Sequence, residues 1–167
     1  MSGPASGMSD PREDLLRKAG CNEGVIAHSR AVCTLALTFT ESPAVDRELV
    51  RQGAMLHDIG RSRTHSIAHA QEGAAILREM GTREDVVRMA ERHIGAGLTA
   101  DECSLLRILP RDSLPQTLEE QIVANADNLV QGQRETSVIR LLQEGYRLKR
   151  RLRKRHYRLW IRMEAFR

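Results

Sequence analysis

Apolar residues recur along the chain with the spacing of an α-helix. In a helix of 3.6 residues per turn, positions three, four and seven apart lie on one face. Two such faces are Val25, Val32, Leu35 and Ala36 in one segment and Leu49, Gly53, Leu56 and His57 in the next. No stretch alternates convincingly between apolar and polar residues, as a half-buried strand would. The pattern predicts an all-α fold.

Side chains suited to begin a helix precede several predicted segments. Each combines a residue that can accept a hydrogen bond from a free backbone N–H with acidic residues in the next turn. They are Asp10, Thr82, Thr99 and Thr117. Pro11 strengthens the first signal, because proline is favoured at the first helical position. These residues predict where the helices begin.

Glycines mark the predicted helix ends. Gly20, Gly60 and Gly81 each follow a helical stretch, as residues in the left-handed conformation that closes a helix would. Starts, ends and apolar spacing together predict later helices over about 69–80, 83–93, 118–130 and 135–165.

Length and composition predict one soluble domain. A chain of 167 residues, with 41% hydrophobic and 29% charged residues, is enough for a single core. We expect a flexible leader at 1–9 and one domain over 10–167, with its core at about 20–130. No apolar run approaches the roughly 20 residues that cross a bilayer, and the first residues lack the features of a signal peptide. A cytoplasmic location without a membrane partner is expected.

The three cysteines do not form a motif. Cys21, Cys33 and Cys103 are widely spaced, with no C-x-x-C pair. This argues against a disulfide framework or a zinc knuckle. They are expected to be small apolar residues of the core.

Positive charge is concentrated in the last predicted helix. From Arg147 to the end the chain has ten Lys or Arg residues and one acid, whereas the net charge of the whole chain is +4. An apolar stripe is predicted at Leu141, Leu148, Leu152, Leu159 and Met163. The remaining basic face is typical of a solvated surface. The sharper alternative is a contact with RNA, whose phosphates would release counterions on binding. A membrane-surface contact and an oligomer contact are further alternatives.

Five histidines and two aspartates are the candidate functional residues. Five of the six histidines lie in or at the ends of predicted core helices: His28, His57, His65, His69 and His93. Asp58 follows His57 directly, and Asp127 stands in a largely apolar helix, where an unpaired carboxylate is costly to bury. Taken singly, each histidine would be a hydrogen-bonded core residue, and Asp127 would cap a helix or form an ion pair. The ordered set instead favours a metal site.

This ordered set resembles the HD-domain superfamily of metal-dependent phosphohydrolases. His28, the pair His57-Asp58 and Asp127 are similar to its ligands in order and rough spacing. The segment 56–60, Leu-His-Asp-Ile-Gly, resembles the HDIG subgroup. His69 and His93 resemble the additional histidines of binuclear members. The similarity spans roughly residues 20–130, resembles small stand-alone HDIG proteins of archaea, and implies a single HD-domain helical bundle with a long basic C-terminal helix.

The resemblance also implies a ligand set and a reaction. His28, His57, Asp58 and Asp127 would hold one divalent ion, and His69 and His93 a second, with Asp58 bridging both. Imidazole and carboxylate ligands suit Mn, Fe, Co, Ni or Zn without selecting among them, and whether one or two ions bind stays open. Asp58 and His57 would be the catalytic residues. The implied reaction is hydrolysis of a phosphomonoester or phosphodiester of a nucleotide, cyclic nucleotide or RNA end by metal-activated water.

Two residues after the HDIG segment are candidates for substrate binding. Arg61 could grip a phosphate through a two-pronged hydrogen bond, and His65 follows one turn later. The alternative is a solvated loop. Arg61 also stands where the cyclic-dinucleotide phosphodiesterases usually have Lys, and their downstream Gly-Tyr-Pro signature is absent. These departures argue against a cyclic-di-GMP hydrolase.

Two other functions compete with the phosphohydrolase. One is a catalytically silent binding or regulatory module that keeps the helical fold. The other is a di-iron oxygenase, since a related His/Asp set can support oxygen chemistry. Ligand residues at every expected position speak against the silent module.

Overall fold

The computed structural model describes residues 10–144 and 150–167, and nearly all of their regular structure is helical. The α-helices are α1 (Pro11–Ala19), α2 (Glu23–Ala36), α3 (Arg47–Leu56), α4 (His69–Glu79), α5 (Glu84–Arg92), α6 (Ala100–Leu105), α7 (Leu118–Asn128), α8 (Val138–Glu144) and α9 (Arg150–Glu164). Two 3-10 turns cover Leu37–Phe39 and Ile59–Ser62. Strands β1 (Val130–Gln131) and β2 (Arg134–Glu135) form a short antiparallel hairpin. The prediction of an all-α fold is confirmed.

The hairpin corrects the predicted bounds of two helices. Helix α7 ends at Asn128 rather than at 130, and the helix predicted over 135–165 is wrong at its start, because 134–135 is a strand. Strands of two residues are too short to show alternation in the sequence. Residues 145–149, with Leu148 of the predicted stripe, lie outside the described residues, as does the predicted leader at 1–9. Leu159 and Met163 of that stripe are buried.

Three of the four predicted helix starts are confirmed. The carboxylate of Asp10 accepts a hydrogen bond from the backbone N–H of Arg12, and Pro11 opens α1. Thr99 and Glu102 form a reciprocal capping box at α6. Thr117 accepts from the N–H of Glu120 at α7.

The start predicted at Thr82 is wrong. Arg83 occupies the N-cap position of α5, without a side-chain capping bond. The preceding Gly81 is left-handed at φ +69°, as predicted for a residue that ends a helix, and Gly20 is left-handed at φ +97°. The turn between α4 and α5 is so short that Thr82 lies in it rather than at the helix start.

Gly60 does not end a helix, which corrects the prediction made for it. Helix α3 ends at Leu56, and Gly60 lies inside the 3-10 turn Ile59–Ser62 without a left-handed φ. A Cβ atom on Gly60 would lie 1.9 Å from the carbonyl oxygen of His69 and 2.4 Å from the backbone nitrogen of Gly73. Only a residue without a side chain lets the first turn of α4 pack this closely against the turn after α3.

The core surrounds α3, which packs against α2, α5 and α7, while α4 packs against α5 and the Ile59–Ser62 turn. It is mainly aliphatic, as the aromatic content of 3% predicts. All three cysteines are buried and free, as expected. Within the described residues, no helix is long and apolar enough to span a bilayer.

A buried carboxylate joins α5 to α7. The Glu120 side chain is 2% exposed and lies 3.2 Å from Nε of Arg88 and 2.9 Å from Nη1 of Arg92. It also accepts a hydrogen bond from the backbone N–H of Gln116. A buried charge is tolerated only when it is paired and hydrogen-bonded, and these contacts satisfy that condition.

Candidate metal centre

The pair His57-Asp58 lies at the bend between α3 and the following 3-10 turn. His57 is the residue directly after α3, and Asp58 directly precedes the turn. Their exposed fractions are 0% and 2%. Because the helix ends here, these neighbouring side chains can face the same space, which they could not do inside a helix with about 100° between successive residues.

Helices α2, α3, α4, α5 and α7 bring the six predicted ligands together. On one side, Oδ1 of Asp127 lies 2.9 Å from Nε2 of His28 and 3.3 Å from Nε2 of His57. On the other, Oδ1 of Asp58 lies 3.1 Å from Nε2 of His69 and 3.5 Å from Nε2 of His93. Residues up to 99 positions apart in sequence are thus in direct contact.

Asp58 lies between the two sides. While its Oδ1 faces His69 and His93, its Oδ2 lies 3.9 Å from Nε2 of His28 and 3.8 Å from Nε2 of His57. Two groups of ligand atoms, each mutually within 4.8 Å, could hold a metal ion: His28, His57 and Asp127, and His57, Asp58 and His93. The carboxylate of Asp58 is therefore placed to serve two neighbouring positions.

All four imidazoles are held in the same way. Each Nδ1 lies 2.7 Å from a backbone carbonyl oxygen; the acceptors are Gly132 for His28, Ala54 for His57, Ser66 for His69 and Ala90 for His93. Since a carbonyl can only accept, Nδ1 carries the hydrogen and the neutral ring keeps its lone pair on Nε2. That is the tautomer in which an imidazole binds a metal, with the other nitrogen oriented by an outer partner.

Two buried atoms of this cluster lack a hydrogen-bond partner among the described residues. They are Nε2 of His57 and Oδ1 of Asp58. Leaving such groups unsatisfied in the interior is costly, and an exception of this kind requires an explanation. A divalent cation between the Nε2 atoms and the carboxylates would satisfy both, so the residues present fit a metal.

The charges of the site also favour a bound cation. Burial raises the pKa of the Asp58 carboxyl, but the surrounding His57, His69 and His93 outweigh it and hold that pKa well below its usual range. Burial also opposes protonation of His57, yet the carboxylates of Asp58 and Asp127 raise its pKa to about 9. The two carboxylates therefore make the pocket favourable for positive charge.

An open cavity of about 360 Å³ leads to this cluster. Its lining residues are Asn22, Gly24, Val25, His28, Asp58, Arg61, His65 and Gly132. Both residues predicted to bind substrate thus lie at the cavity, and Nε of Arg61 donates to Oδ2 of Asp58 at 2.6 Å. A larger groove of about 440 Å³, lined by Arg30, Thr34 and Glu135 among others, contains none of the predicted ligands.

Sequence reasoning missed the contribution of the hairpin. Gly132, at its tip, has φ +61° and supplies the carbonyl that orients His28. The signal that could have found it is the Gln131-Gly132-Gln133 stretch, because glycine between polar residues is typical of a turn. The turn fell in the unassigned gap between the helices predicted over about 118–130 and 135–165, and the strands on either side of it are too short to detect.

Comparison with known proteins identifies the class. The HD domain family model matches residues 25–131, a span that contains all six predicted ligands. The chain belongs to the HD domain family.

Relatives within this family differ in how much of their length the chain covers. An uncharacterized protein of Methanocaldococcus jannaschii is 46% identical over 141 residues, which are 81% of this chain and 82% of that protein. The tRNA (cytidine(56)-2'-O)-methyltransferase of Picrophilus torridus is 42% identical over 72% of this chain and 36% of its own length. Ribonuclease Y of Acidothermus cellulolyticus is 37% identical over 42% of this chain and 15% of its length. The chain thus spans well under half of the last two.

The fold has a counterpart among solved structures. The HD domain of the L. monocytogenes phosphodiesterase PgpH, solved in complex with cyclic-di-AMP, matches with a TM-score of 0.60. The match covers 93% of this chain and 96% of that one at 17% identity. At this identity the likeness is one of fold, and it confirms the predicted HD-domain helical bundle.

Proposed function

We propose that this protein is a metal-dependent phosphohydrolase with a two-ion centre. His28, His57 and Asp127 would hold one ion and His69 and His93 the other, and Asp58 would contribute to both. The observation that carries the proposal is the position of Asp58, whose two carboxylate oxygens face two different pairs of Nε2 atoms.

Mixed imidazole and carboxylate ligands suit Mn, Fe, Co, Ni or Zn. When bound, such ions lower the pKa of a coordinated water and offset charge on phosphoryl oxygens. The chain's own part is to hold the ligands rigid through the four Nδ1–carbonyl contacts and to exclude bulk water from His57, Asp58 and His93. Asp58 and His57 are the proposed catalytic residues, since Asp58 faces both pairs of Nε2 atoms and His57 belongs to both groups of potential ligands.

Arg61 and His65 are the proposed substrate-binding residues. The hydrogen bond from Nε of Arg61 to Asp58 fixes the guanidinium at the wall of the cavity, leaving its terminal N–H groups for a phosphate. His65 lies on the same cavity wall. A cavity of about 360 Å³ is in the range of small-ligand sites and would admit one nucleotide unit at a time.

The proposed substrate is a phosphate ester of RNA or of a nucleotide. Two relatives have names that refer to RNA, a tRNA methyltransferase and Ribonuclease Y. The PgpH domain that shares the fold was solved in complex with cyclic-di-AMP. Free buried cysteines fit a reducing compartment, so a cytoplasmic location is part of this proposal.

Helix α9 supports RNA over a free nucleotide. Residues 150–167 contain eight Lys or Arg and one acid. Arg150, Arg153, Lys154 and Tyr157 line a groove of about 320 Å³, and the ring of Tyr157 lies 6.0 Å from that of Trp160. Cations that follow a phosphate backbone, with aromatic rings for stacking, are typical of single-strand binding.

Hydrolysis assays on the metal-loaded protein test the proposal. Protein stripped by chelator and reloaded with Mn²⁺, Co²⁺ or Zn²⁺ is offered bis-p-nitrophenyl phosphate and short RNAs with terminal phosphates. We expect hydrolysis that depends on metal, and a loss of at least about 10³-fold in Asp58→Asn, which keeps the shape of the side chain but removes the bridging charge.

Four results would contradict the proposal. Hydrolysis by metal-free protein, or full activity in Asp58→Asn, would remove the role given to Asp58. Metal binding with no hydrolysis of any phosphate ester would favour the silent module. Oxygen consumption by an iron-loaded form would favour the oxygenase.

A further inference from the structure

Helix α9 lies beyond the residues that match the HD family, yet it packs next to a proposed metal ligand. The match of the HD family model ends at residue 131, whereas α9 covers Arg150–Glu164. The helix packs on α7 through Leu159 and Met163, which are 8% and 0% exposed. Its N-terminal half contacts the segment 93–98, which we call the His93 loop, and so touches the segment that begins with His93.

Arg155 holds the far end of the His93 loop. Its Nη2 donates to the carbonyl oxygen of Gly97 at 2.9 Å and to Oε2 of Glu102 at 2.6 Å. The same Glu102 oxygen accepts from the backbone N–H of Thr99 at 2.9 Å, completing the cap of α6. One guanidinium thus joins the loop, the start of α6 and α9, and the side chain that carries it is only 24% exposed.

His156 holds the middle of the loop. A Cβ atom on Gly95 would lie 2.5 Å from Nε2 of His156, so this imidazole fills the space where a side chain would stand. On another edge, Nδ2 of Asn128 donates to the carbonyl oxygen of Gly95 at 2.8 Å. Asn128 directly follows Asp127 on α7. Gly95 is therefore held between α9 and the helix that carries a ligand of the first ion.

These contacts add to the backbone bridge between Leu98 and Ser113, which also holds the end of the loop. On the N-terminal side, Nδ1 of His93 is oriented by the carbonyl of Ala90. On the C-terminal side, Gly95 and Gly97 both have positive φ, at +57° and +86°, and glycines in such a loop do not hold it rigid by themselves. The position of the His93 ring is therefore set by the end of α5 on one side and by what packs against the loop on the other.

We propose that α9 is a structural part of the metal centre, in which Arg155 and His156 are positioning residues for His93 and hence for the second ion. The inference rests on the proposed function, because it takes His69, His93 and Asp58 as the ligands of that ion. Arg155 and His156 contact the His93 loop and Glu102 rather than the residues that carry His28, His57 and Asp127, so loss of either side chain should leave the first ion unaffected. Loss of a partner that orients a metal-binding histidine typically weakens affinity by about 10–100-fold.

The test compares Arg155→Gln with Arg158→Gln. Both variants remove one positive charge from α9, but Arg158 is exposed and makes neither contact with the loop. Stepwise affinities are measured by titrating the full-length metal-free protein with Mn²⁺, and electron paramagnetic resonance distinguishes an exchange-coupled pair from a single ion. We expect Arg155→Gln to weaken the second ion about 10–100-fold and to lose the coupled signal, with the first ion unchanged. Arg158→Gln should match the wild type.

A second variant and a rescue separate positioning from folding. His156→Ala, which opens the space over Gly95, should weaken the same ion, and Arg155→Lys, which keeps one charged donor, should recover part of the loss. If Arg155→Gln proves to be unfolded by circular dichroism, His156→Ala carries the test alone.

Different results would overturn the positioning role of α9 and the proposed hydrolysis reaction. Unchanged binding of both ions in Arg155→Gln and His156→Ala, equal weakening of both ions, or a wild type that binds a single ion would overturn the positioning role. Two ions in the wild type, with selective loss in the variants but no hydrolysis of any ester, would support the positioning role and overturn only the proposed reaction.

Discussion

Replacement of Gly60 by alanine tests how the fold builds the site. The added Cβ would lie 1.9 Å from the carbonyl oxygen of His69 and 2.4 Å from the nitrogen of Gly73. Both atoms belong to the backbone, so no flexible side chain can move aside. Because φ of Gly60 is not left-handed, alanine carries no conformational penalty there, and the whole effect is steric.

The expected magnitude follows from that geometry. Overpacking a core typically costs 1–3 kcal/mol, and an unyielding backbone contact places Gly60→Ala at about 3 kcal/mol or above. For a chain of this size, about 3 kcal/mol corresponds to a fall in Tm of roughly 6–12 °C. Since the relief must come from α4 moving away, His69 is displaced and binding of the second ion weakens as well.

The assay is thermal unfolding of the metal-free protein, followed by Mn²⁺ titration. Gly81→Ala is the matched control, because its Cβ meets nothing within 4 Å while its φ of +69° carries the left-handed penalty alone. That penalty is about 1–2 kcal/mol, with no effect on metal binding. A Gly60→Ala protein that melts within about 2 °C of the wild type and binds both ions would refute this steric account.

Three further predictions rest on other contacts. Glu120→Ala should destabilise the protein by less than the roughly 3–5 kcal/mol typical of a fully buried ion pair, because its partner Arg92 is 16% exposed; a change below about 1 kcal/mol in urea unfolding would contradict this. In the metal-free protein the pKa of His57 is raised to about 9, so its protonation stabilises the fold. This stabilisation is complete below the pKa of the unfolded state and is lost as the pH rises through about 9. A dependence of Tm on pH over this range that persists in His57→Gln would refute the assignment. The double variant Arg150→Gln/Lys154→Gln should reduce the salt dependence of single-stranded RNA binding by about one to two units of slope, and an unchanged slope would exclude the α9 groove.

Much of the helical framework could be predicted because its causes are local. Apolar spacing located α4 and α5 to within one residue at each end, and the capping side chains of Asp10, Thr99 and Thr117 act within the first turn of their own helices. The prediction failed where the stabilising contact comes from elsewhere in the chain. The hairpin at Val130–Gln131 and Arg134–Glu135 is the main example, since strands of two residues leave no period to detect.

The candidate site divides in the same way. The six ligand residues could be proposed from residue type and order, and the structure brings all six together. Their geometry could not be predicted, nor could the bond from Arg61 to Asp58, which joins a proposed substrate-binding group directly to a proposed ligand. The sequence does not show the close contact of Gly60 with His69 and Gly73, because that contact depends on how the turn after α3 packs against α4. Gly60 was therefore assigned a helix-ending role.

By itself, the sequence determined which chemical groups are available and on which helices they stand, because side-chain identity and helix formation depend on neighbours a few residues away. Tertiary structure alone decided that Nε2 of His28 and Oδ1 of Asp127, 99 residues apart, lie at 2.9 Å, and that Asp58 faces both pairs of histidines. It also decided that Arg155 and His156, in a helix outside the matched family region, hold the His93 loop. Such distances result from the packing of whole helices against one another, and no local pattern encodes them.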